Sequence, residues 1–514
     1  SFFILNKKPT KNIPENQKTE ENGGRALSDR QRFDLLDRII SDMSIGNKLN
    51  LLIYDGDIIY AHTNFADSLH YYRDEDGIIF STEALSFGMW AKLTFTTLLA
   101  YKDGEKIFTG KNHGHEYFEN TVYVNFEESG KLSSIFDYDY DVDRILRELC
   151  LELKVSIEPG KTLLILDEIQ ECPRAITSLK YFCENKADLH VIGAGSLLGV
   201  ALRSSQISFP VGKVNRMQMY PLTFEEFLTA TGEESRIAAL RNWPLDRPIP
   251  ELHTIPLEKA LKDFYIVGGM PEAVSTWVDT HDYQEVEAVQ KDILKDYRDD
   301  FAKHAPLSEV EKIRWIWDSV PVQLAKENNK FIFSHVHEGK RSAELEDALL
   351  WLRDAGLITP LYLVEKPQIP LSGEMDMTYF KIYLSDIGLL RCRAGLSPET
   401  ILSGDPLFVR FKGAFSENYA LNEMIAQGLT CCFWRSGNIA EIDLLLEAKG
   451  HIIPVEVKSA DNTRAKSFKE FCRRYQPRLG IKTSLKNISQ FDCAGCKALT
   501  LPLYLLWNWQ QYCE

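Results

Sequence analysis

Behind Ser28, a residue type that caps helices, the apolar positions Phe33, Leu36, Ile39 and Ile40 recur at helical spacing and predict a helix. The period then shortens to two. Lys48–Tyr54, the Asp55-Gly56 turn and Ile58–His62 read as strand, turn and strand, and Ile78–Thr82 and Thr96–Tyr101 continue the pattern before a turn at Asp103-Gly104. After Asn120 short apolar runs alternate with helical stretches: strand Val122–Phe126, helix Val142–Leu153, strand Thr162–Asp167, helix Ile176–Asn185 and strand Leu189–Gly193. That alternation predicts a parallel sheet covered by helices.

Helices dominate from about Leu257 to Ala302. Further helices at Glu311–Asn328 and Leu345–Ala355 precede two short β runs, Thr359–Val364 and Tyr379–Leu384, an order that suits a winged-helix module. The last segment is α/β again, with a helix at Phe415–Ala426, strands at Cys431–Arg435, Glu441–Leu446 and Ile452–Val457, and then a basic helix.

A chain of 514 residues is long enough for three or four domains. Its 44% hydrophobic and 26% charged residues are ordinary for a soluble protein, and no apolar run reaches the length of a membrane span, so a cytoplasmic protein without membrane contact is expected. The first 24 residues lack the basic flank and apolar core of a signal peptide. Ten scattered cysteines fit a reducing compartment, and Cys493-Ala-Gly-Cys496 reads as two unlinked thiols beside a turn. A net charge of −15 excludes a wholly basic surface, so any nucleic-acid contact must be local.

Leu163-Leu-Ile-Leu-Asp167-Glu168 delivers two adjacent carboxylates to the carboxyl edge of a parallel sheet, where open α/β sheets bind ligands. In nucleotide hydrolases the first acid of such a pair holds Mg²⁺ through water and the second activates the attacking water. The next strand ends at Gly195-Ser196, where a γ-phosphate contact would sit. Asp167-Glu168-Ile-Gln, Gly195-Ser196-Leu-Leu, Tyr220-Pro-Leu-Thr-Phe-Glu-Glu-Phe227 and Gly268-Gly-Met-Pro-Glu-Ala273 together resemble, in this order, a prokaryotic family of AAA+-type ATPases with a C-terminal nuclease-like domain. The similarity runs over about 119–514. It implies ATP and Mg²⁺ as ligands, Asp167 and Glu168 as hydrolytic acids, and Ser196 as a nucleotide sensor. Arg216 is either a phosphate-sensing arginine or a solvated charge.

One departure from the family changes that picture. Backbone N–H groups of a GxxxxGK[ST] loop, leading into a helix, must wrap the phosphates. The corresponding stretch here, Tyr101–Gly114, has no GK[ST]. Gly160-Lys161-Thr162 opens a strand, and Val155 stands where the first loop glycine belongs. ATP hydrolysis is therefore expected to be weak or lost.

Gly46–Gly56, His62-Thr-Asn64, Ile79–Thr82 and Thr96–Gly110 are similar to the later part of a class II glutamine amidotransferase, a family whose nucleophile is an N-terminal cysteine. This chain has no cysteine before Cys150, so the nucleophile is absent and His62 reads as structural. The two resemblances meet near Tyr117–Asn120, as expected of two joined, truncated halves.

At the C-terminal end, Asp443 lies on one strand of an expected hairpin and Glu456-Val-Lys458 on the other. Period two puts Glu456 and Lys458 on one face with Asp443 opposite. Two carboxylates and a lysine can hold Mg²⁺ and stabilise charge in phosphodiester cleavage, and Glu417 on the preceding helix could add a third acid. The arrangement is similar to the PD-(D/E)XK nuclease pattern; a solvated face with a cross-strand ion pair is the alternative. Residues 458–486 hold nine Lys or Arg against two acids. Arg464, Lys466, Lys469, Arg473 and Arg474 are thus candidate phosphate contacts, or a solvated face.

The expected architecture is α/β and multidomain: a β-rich amidotransferase-like fragment (1–118), a truncated parallel-sheet AAA+ core with helical lid (119–305), a winged-helix module (306–398) and a restriction-endonuclease-like α/β domain (399–514). DNA is the expected partner, with a protein partner or self-association equally open.

Overall fold

The computed structural model describes residues 3–4, 28–44, 50–63, 69–73, 77–82, 90–93, 97–112, 118, 120–201, 209–326, 330–403, 409–437, 440–458 and 466–513. The chain forms two compact units, 1–215 and 216–514.

In the first unit, four antiparallel strands make one sheet: Asn50–Tyr54, Ile59–Thr63, Thr97–Lys102 and Glu105–Asn112. Helix Asp29–Ser44 packs on it through Phe33 and Ile40, which meet Ile58, Tyr60, Leu98 and Ala100. The other face carries Ile59, Ala61, Leu99 and Tyr101 against Leu69, Ile78, Phe80 and Leu93, so period-two alternation serves two cores at once. His62 is fully buried in this sheet. Both expected turns hold, with positive φ at Gly56, Asp103 and Gly104.

The same unit contains the parallel sheet, in the order His190–Gly193, Thr162–Asp167, Asn120–Asn125. Leu164 and Leu166 bury one face together with Val122 and Val124, under helices Gly130–Asp137, Val142–Leu153 and Pro173–Asn185. Asp141 caps the second helix, accepting from the Arg144 N–H at 3.1 Å, and Lys154 ends it in the left-handed region. On the opposite face Tyr123 and Ile192 are about half exposed, at 53% and 49%.

The second unit begins with an extended strap and helices Phe224–Ala230, Glu234–Arg241, Glu251–Val267, Pro271–Thr280 and Tyr283–His304. Helix Val310–Leu324 stops short of the expected Asn328; residues 327–329 lie outside the described residues. After helix Ser342–Asp354 comes one mixed sheet of eight strands. Its first two, Met375–Leu384 and Ile358–Val364, are antiparallel, and the second joins Thr430–Ser436 in parallel through Leu363 and Val364 beside Phe433 and Trp434. Ala440–Ala448, His451–Val457, Leu479–Ser484, Cys496–Pro502 and Ser489–Cys493 complete it. Residue 398, the boundary read from the sequence, therefore falls between strands of one continuous sheet. No helix among the described residues is long and apolar enough to cross a membrane.

The Gly268-Gly269 turn is fastened by a buried carboxylate. Asp386 is 2% exposed and accepts from the N–H groups of Gly269 and Leu389, each at 2.7 Å. Burial pushes its carboxyl up to about 6, while those N–H groups pull the other way. The Leu222 N–H donates to the Gly269 carbonyl at 2.7 Å, so close that a β-carbon at Gly269 would collide with the Leu222 backbone. Gly269→Ala is expected to lower stability by about 1–3 kcal/mol in urea unfolding. A loss below about 0.5 kcal/mol would show that the strap yields freely.

Candidate functional site

Two groups of expected site residues are assembled, one in each unit. Asp167 ends the central parallel strand, where the Tyr123 hydroxyl donates to its Oδ2 from the neighbouring strand. This bond raises the Tyr123 phenol. Glu168 follows in the left-handed region at φ 46°, costly for a residue with a β-carbon. The turn is held by the Ile169 N–H on the Ala194 carbonyl (2.9 Å) and by the Gln170 amide, which donates to the Glu168 carboxylate. Gly195 lets the Gln170 side chain lie close against the backbone, and a β-carbon there would push that amide aside. Ser196 is exposed in the turn after the adjacent strand. Arg216 is exposed and belongs to the other unit.

Ahead of this sheet the chain is regular. Thr97–Lys102 and Glu105–Asn112 pair as a hairpin across Asp103-Gly104, and residues 113–117 lie outside the described residues. Gly160 has φ 77° in a turn whose Lys161 and Thr162 N–H groups both donate to the Glu158 carbonyl before the strand starts.

In the second unit the cross-strand geometry gathers charges in a nearly dry place. Leu444 lies opposite Val455 at the end of the paired register, and just beyond it the charges of Asp443 and Glu456 act on each other. Asp443 Oδ2 accepts from the Val457 N–H at 2.7 Å, and Lys458 Nζ lies 2.6 Å from Glu456 Oε1. Glu456 is 4% exposed, and its Oε2 has no hydrogen-bond partner. Glu417 comes from helix Val409–Ala426, as expected, and accepts from the Tyr383 hydroxyl at 2.8 Å.

Lys381 and Tyr383 were not singled out from the sequence. They alternate on strand Met375–Leu384 and point at Glu417; Lys381 Nζ also lies 2.7 Å from Glu441 Oε1 and 3.7 Å from Glu417 Oε2. The only sequence signal was a lysine and a tyrosine at spacing two in the short β run Tyr379–Leu384. Burial acts to lower the Lys381 ammonium, but Tyr383, Glu417 and Glu441 hold it well above its ordinary range. Burial drives Asp443 well above the carboxylate range, and Glu456 and Glu417 add to this. Glu456 is raised too, chiefly by burial, with Lys458 working against it. Lys458 is raised because Asp443 and Glu456 outweigh its burial.

Two lysines already stand against these carboxylates. Among the described residues, no three His, Cys, Asp or Glu side chains are arranged to hold a metal ion. Cys493 and Cys496 face each other across the Ala494-Gly495 turn as free thiols. The basic helix, Lys466–Tyr475, buries Phe468, Phe471 and Cys472 and leaves Lys466, Lys469 and Arg473 outward. Arg473 and Arg474 share the Glu470 carboxylate, which they hold down at about 2, and Arg474 also donates to Ser436 at 2.6 Å. Arg464 lies outside the described residues.

The raised Asp443 gives a pH dependence of definite sign. A carboxyl whose folded value exceeds its unfolded value favours folding at low pH, and that contribution disappears as pH climbs toward the folded value. Asp443→Asn keeps an acceptor for Val457 and removes the charge. It is expected to raise stability by more than about 1 kcal/mol at pH 8 and by less at pH 4. Equal effects at both pH values, in paired urea titrations, would mean that Asp443 is not strained by its neighbours.

Residues 106–228 match the AAA domain family. Residues 258–400 match a domain of unknown function, DUF8612, and residues 412–504 match another, DUF4143. No curated protein matches the chain. Among solved structures it is similar to the Walker-type ATPase of Pyrococcus abyssi at 13% identity, over 53% of this chain and 84% of that chain, with a TM-score of 0.33. The AAA match starts inside strand Glu105–Asn112 and spans the acidic strand end and the Tyr220–Phe227 motif. The match to the AAA domain family, over residues 106–228, supports an ATPase-like ancestry for that part of the chain.

Proposed function

We propose that this protein is an AAA+-type ATP-binding protein by descent, linked to DNA, in which ATP hydrolysis is weak or lost. The observation that carries this reading is the hairpin of residues 97–112: antiparallel strands occupy most of the stretch where a phosphate loop would have to lead into a helix. Gly160-Lys161-Thr162 offers no substitute, because its N–H groups are already bonded, that of Gly160 to the Asp188 carbonyl and those of Lys161 and Thr162 to the Glu158 carbonyl. Asp167 is placed to hold Mg²⁺ through water, and Glu168 to orient a nucleophile. Bound ATP·Mg²⁺ would supply the phosphoryl group, and these two side chains alone give its phosphates no cradle.

A second reading is favoured by the charge balance of the other centre. There the nuclease-like and winged-helix-like parts bind nucleic acid, or a protein, without cutting. The residues do not fit a metal cage as they stand: Lys458 occupies one oxygen of Glu456, the Val457 N–H one of Asp443, and Tyr383 one of Glu417. Phosphate contact would fall on Lys466 and Lys469, whose side chains point outward.

Calorimetry with ATP and Mg²⁺ tests the first reading: a Kd weaker than about 1 mM is expected. Micromolar binding, with turnover abolished by Glu168→Gln, would overturn it. For the second, duplex DNA should bind in a salt-sensitive way and stay intact with Mg²⁺ present. Lys466→Glu with Lys469→Glu should reduce the slope of log affinity against log salt by about 2. An unchanged slope would move the contact elsewhere, and cleavage lost on Glu456→Gln would establish a nuclease.

A further inference from the structure

Within the second unit a cavity of about 450 Å³ opens between the strap at 218–223, the end of helix Ser342–Asp354 with the strand after it, and helix Val409–Ala426. Its size suits a small molecule. Leu222, Phe264, Ile358, Tyr362, Tyr419 and Ile425 supply a mostly apolar and aromatic wall.

Four charged residues line it: Arg353, Asp354, Asp386 and Glu423. Arg353 is bonded to Asp354 through both Nε (2.9 Å) and Nη2 (2.8 Å), and Asp386 is engaged by backbone N–H groups. Glu423 differs. It is 2% exposed, its Oε1 accepts from the Phe224 N–H at 2.7 Å, and its Oε2 has no hydrogen-bond partner. Glu423 thus lines the cavity with one carboxyl oxygen buried and unmatched, a costly arrangement unless a partner reaches it. The helix behind it brings Glu225 and Glu226, which add negative charge, and Tyr419 and Tyr265 pack beside it.

We infer that this cavity is a binding site for a small organic amine with an apolar or aromatic body, its ammonium group paired with Glu423. Acids outnumber the single, already paired guanidinium on the wall, so a cation is favoured over an anion. The apolar lining selects a hydrophobic body over a bare ion. Neither feature belongs to the Asp167 or the Asp443 centre, so the site stands independently of the ancestry argued above.

Burial pushes the Glu423 carboxyl up to about 8, and Glu225 and Glu226 push the same way. At pH 6.5 it holds its proton, which must pass to solvent when the ammonium docks. Affinity should therefore rise with pH.

The probe is phenethylamine, titrated calorimetrically into the full chain at pH 6.5 and 8.5, with 2-phenylethanol as the uncharged counterpart. Phenethylamine is expected to bind roughly 25-fold more tightly at pH 8.5 than at 6.5, following the fraction of ionised Glu423. At pH 8.5 it should also exceed the alcohol by roughly tenfold. Glu423→Gln, which keeps an acceptor for Phe224, should erase both differences. Ala426→Phe, which narrows the cavity and leaves the Glu423 carboxyl in the chain, should abolish binding of both compounds. Equal binding of amine and alcohol, a pH-independent affinity, no binding of phenethylamine, or unchanged binding by Ala426→Phe would each overturn the assignment. The comparison of the two probes on the unaltered chain stands even if a variant fails to fold.

Discussion

An ammonium group buried to 3% exposure cannot be left alone, and the second unit is organised around satisfying Lys381. Its partners come from places far apart in the chain: Glu417 on a helix and Glu441 on a strand elsewhere in the same sheet. Tyr383 fixes Glu417 from the same strand as Lys381, and Glu417 in turn adds its charge to Asp443 and Glu456. Each side chain is tolerable only because the others are present. Strand Met375–Leu384, helix Val409–Ala426 and the Asp443–Glu456 strand pair are thereby locked in one relation.

The same logic of buried charge recurs at Asp386, whose two N–H donors join the Gly268-Gly269 turn to helix Ile387–Arg393. It recurs again at Glu423, which ties helix Phe224–Ala230 to helix Val409–Ala426. Both carboxylates accept from N–H groups at helix starts, where orphan donors and the positive end of the helix dipole compensate part of the desolvation. Glu423 is incompletely compensated, and it is one of the residues that line the cavity. In the first unit the organising force is different: apolar strands Thr162–Asp167 and Asn120–Asn125 bury one face, and the acidic pair emerges where the apolar run stops.

Much of the local structure was legible because backbone periodicity is a local property. Strand Thr162–Asp167 and helix Val142–Leu153 end where their patterns end, and the Asp-Gly turns take the positive φ that those residues tolerate. Period two put Glu456 and Lys458 on one face of their strand, and Lys458 there reaches the Glu456 carboxylate. Lys381 and Tyr383 were hidden, because a lysine inside a strand reads as an outward side chain until a helix more distant in the chain supplies Glu417. The pairing of Leu363 and Val364 with Phe433 and Trp434 was equally invisible, since no local signal chooses a parallel neighbour so far along the chain.

The amino-acid sequence by itself determined the elements, the turns, the acidic strand end at Asp167-Glu168 and the choice of Glu417, Asp443, Glu456 and Lys458 as candidates for the C-terminal centre. These rest on spacing and on intrinsic backbone preference, which act within a few residues. Only the tertiary structure decided that the two basic side chains Lys381 and Lys458 would neutralise that centre, that one sheet would run from residue 358 to residue 502, and that Glu423 would keep an unmatched oxygen against a cavity. Those outcomes depend on which distant surfaces exclude water from one another, and burial of a charge is a property of the assembled unit rather than of any segment within it.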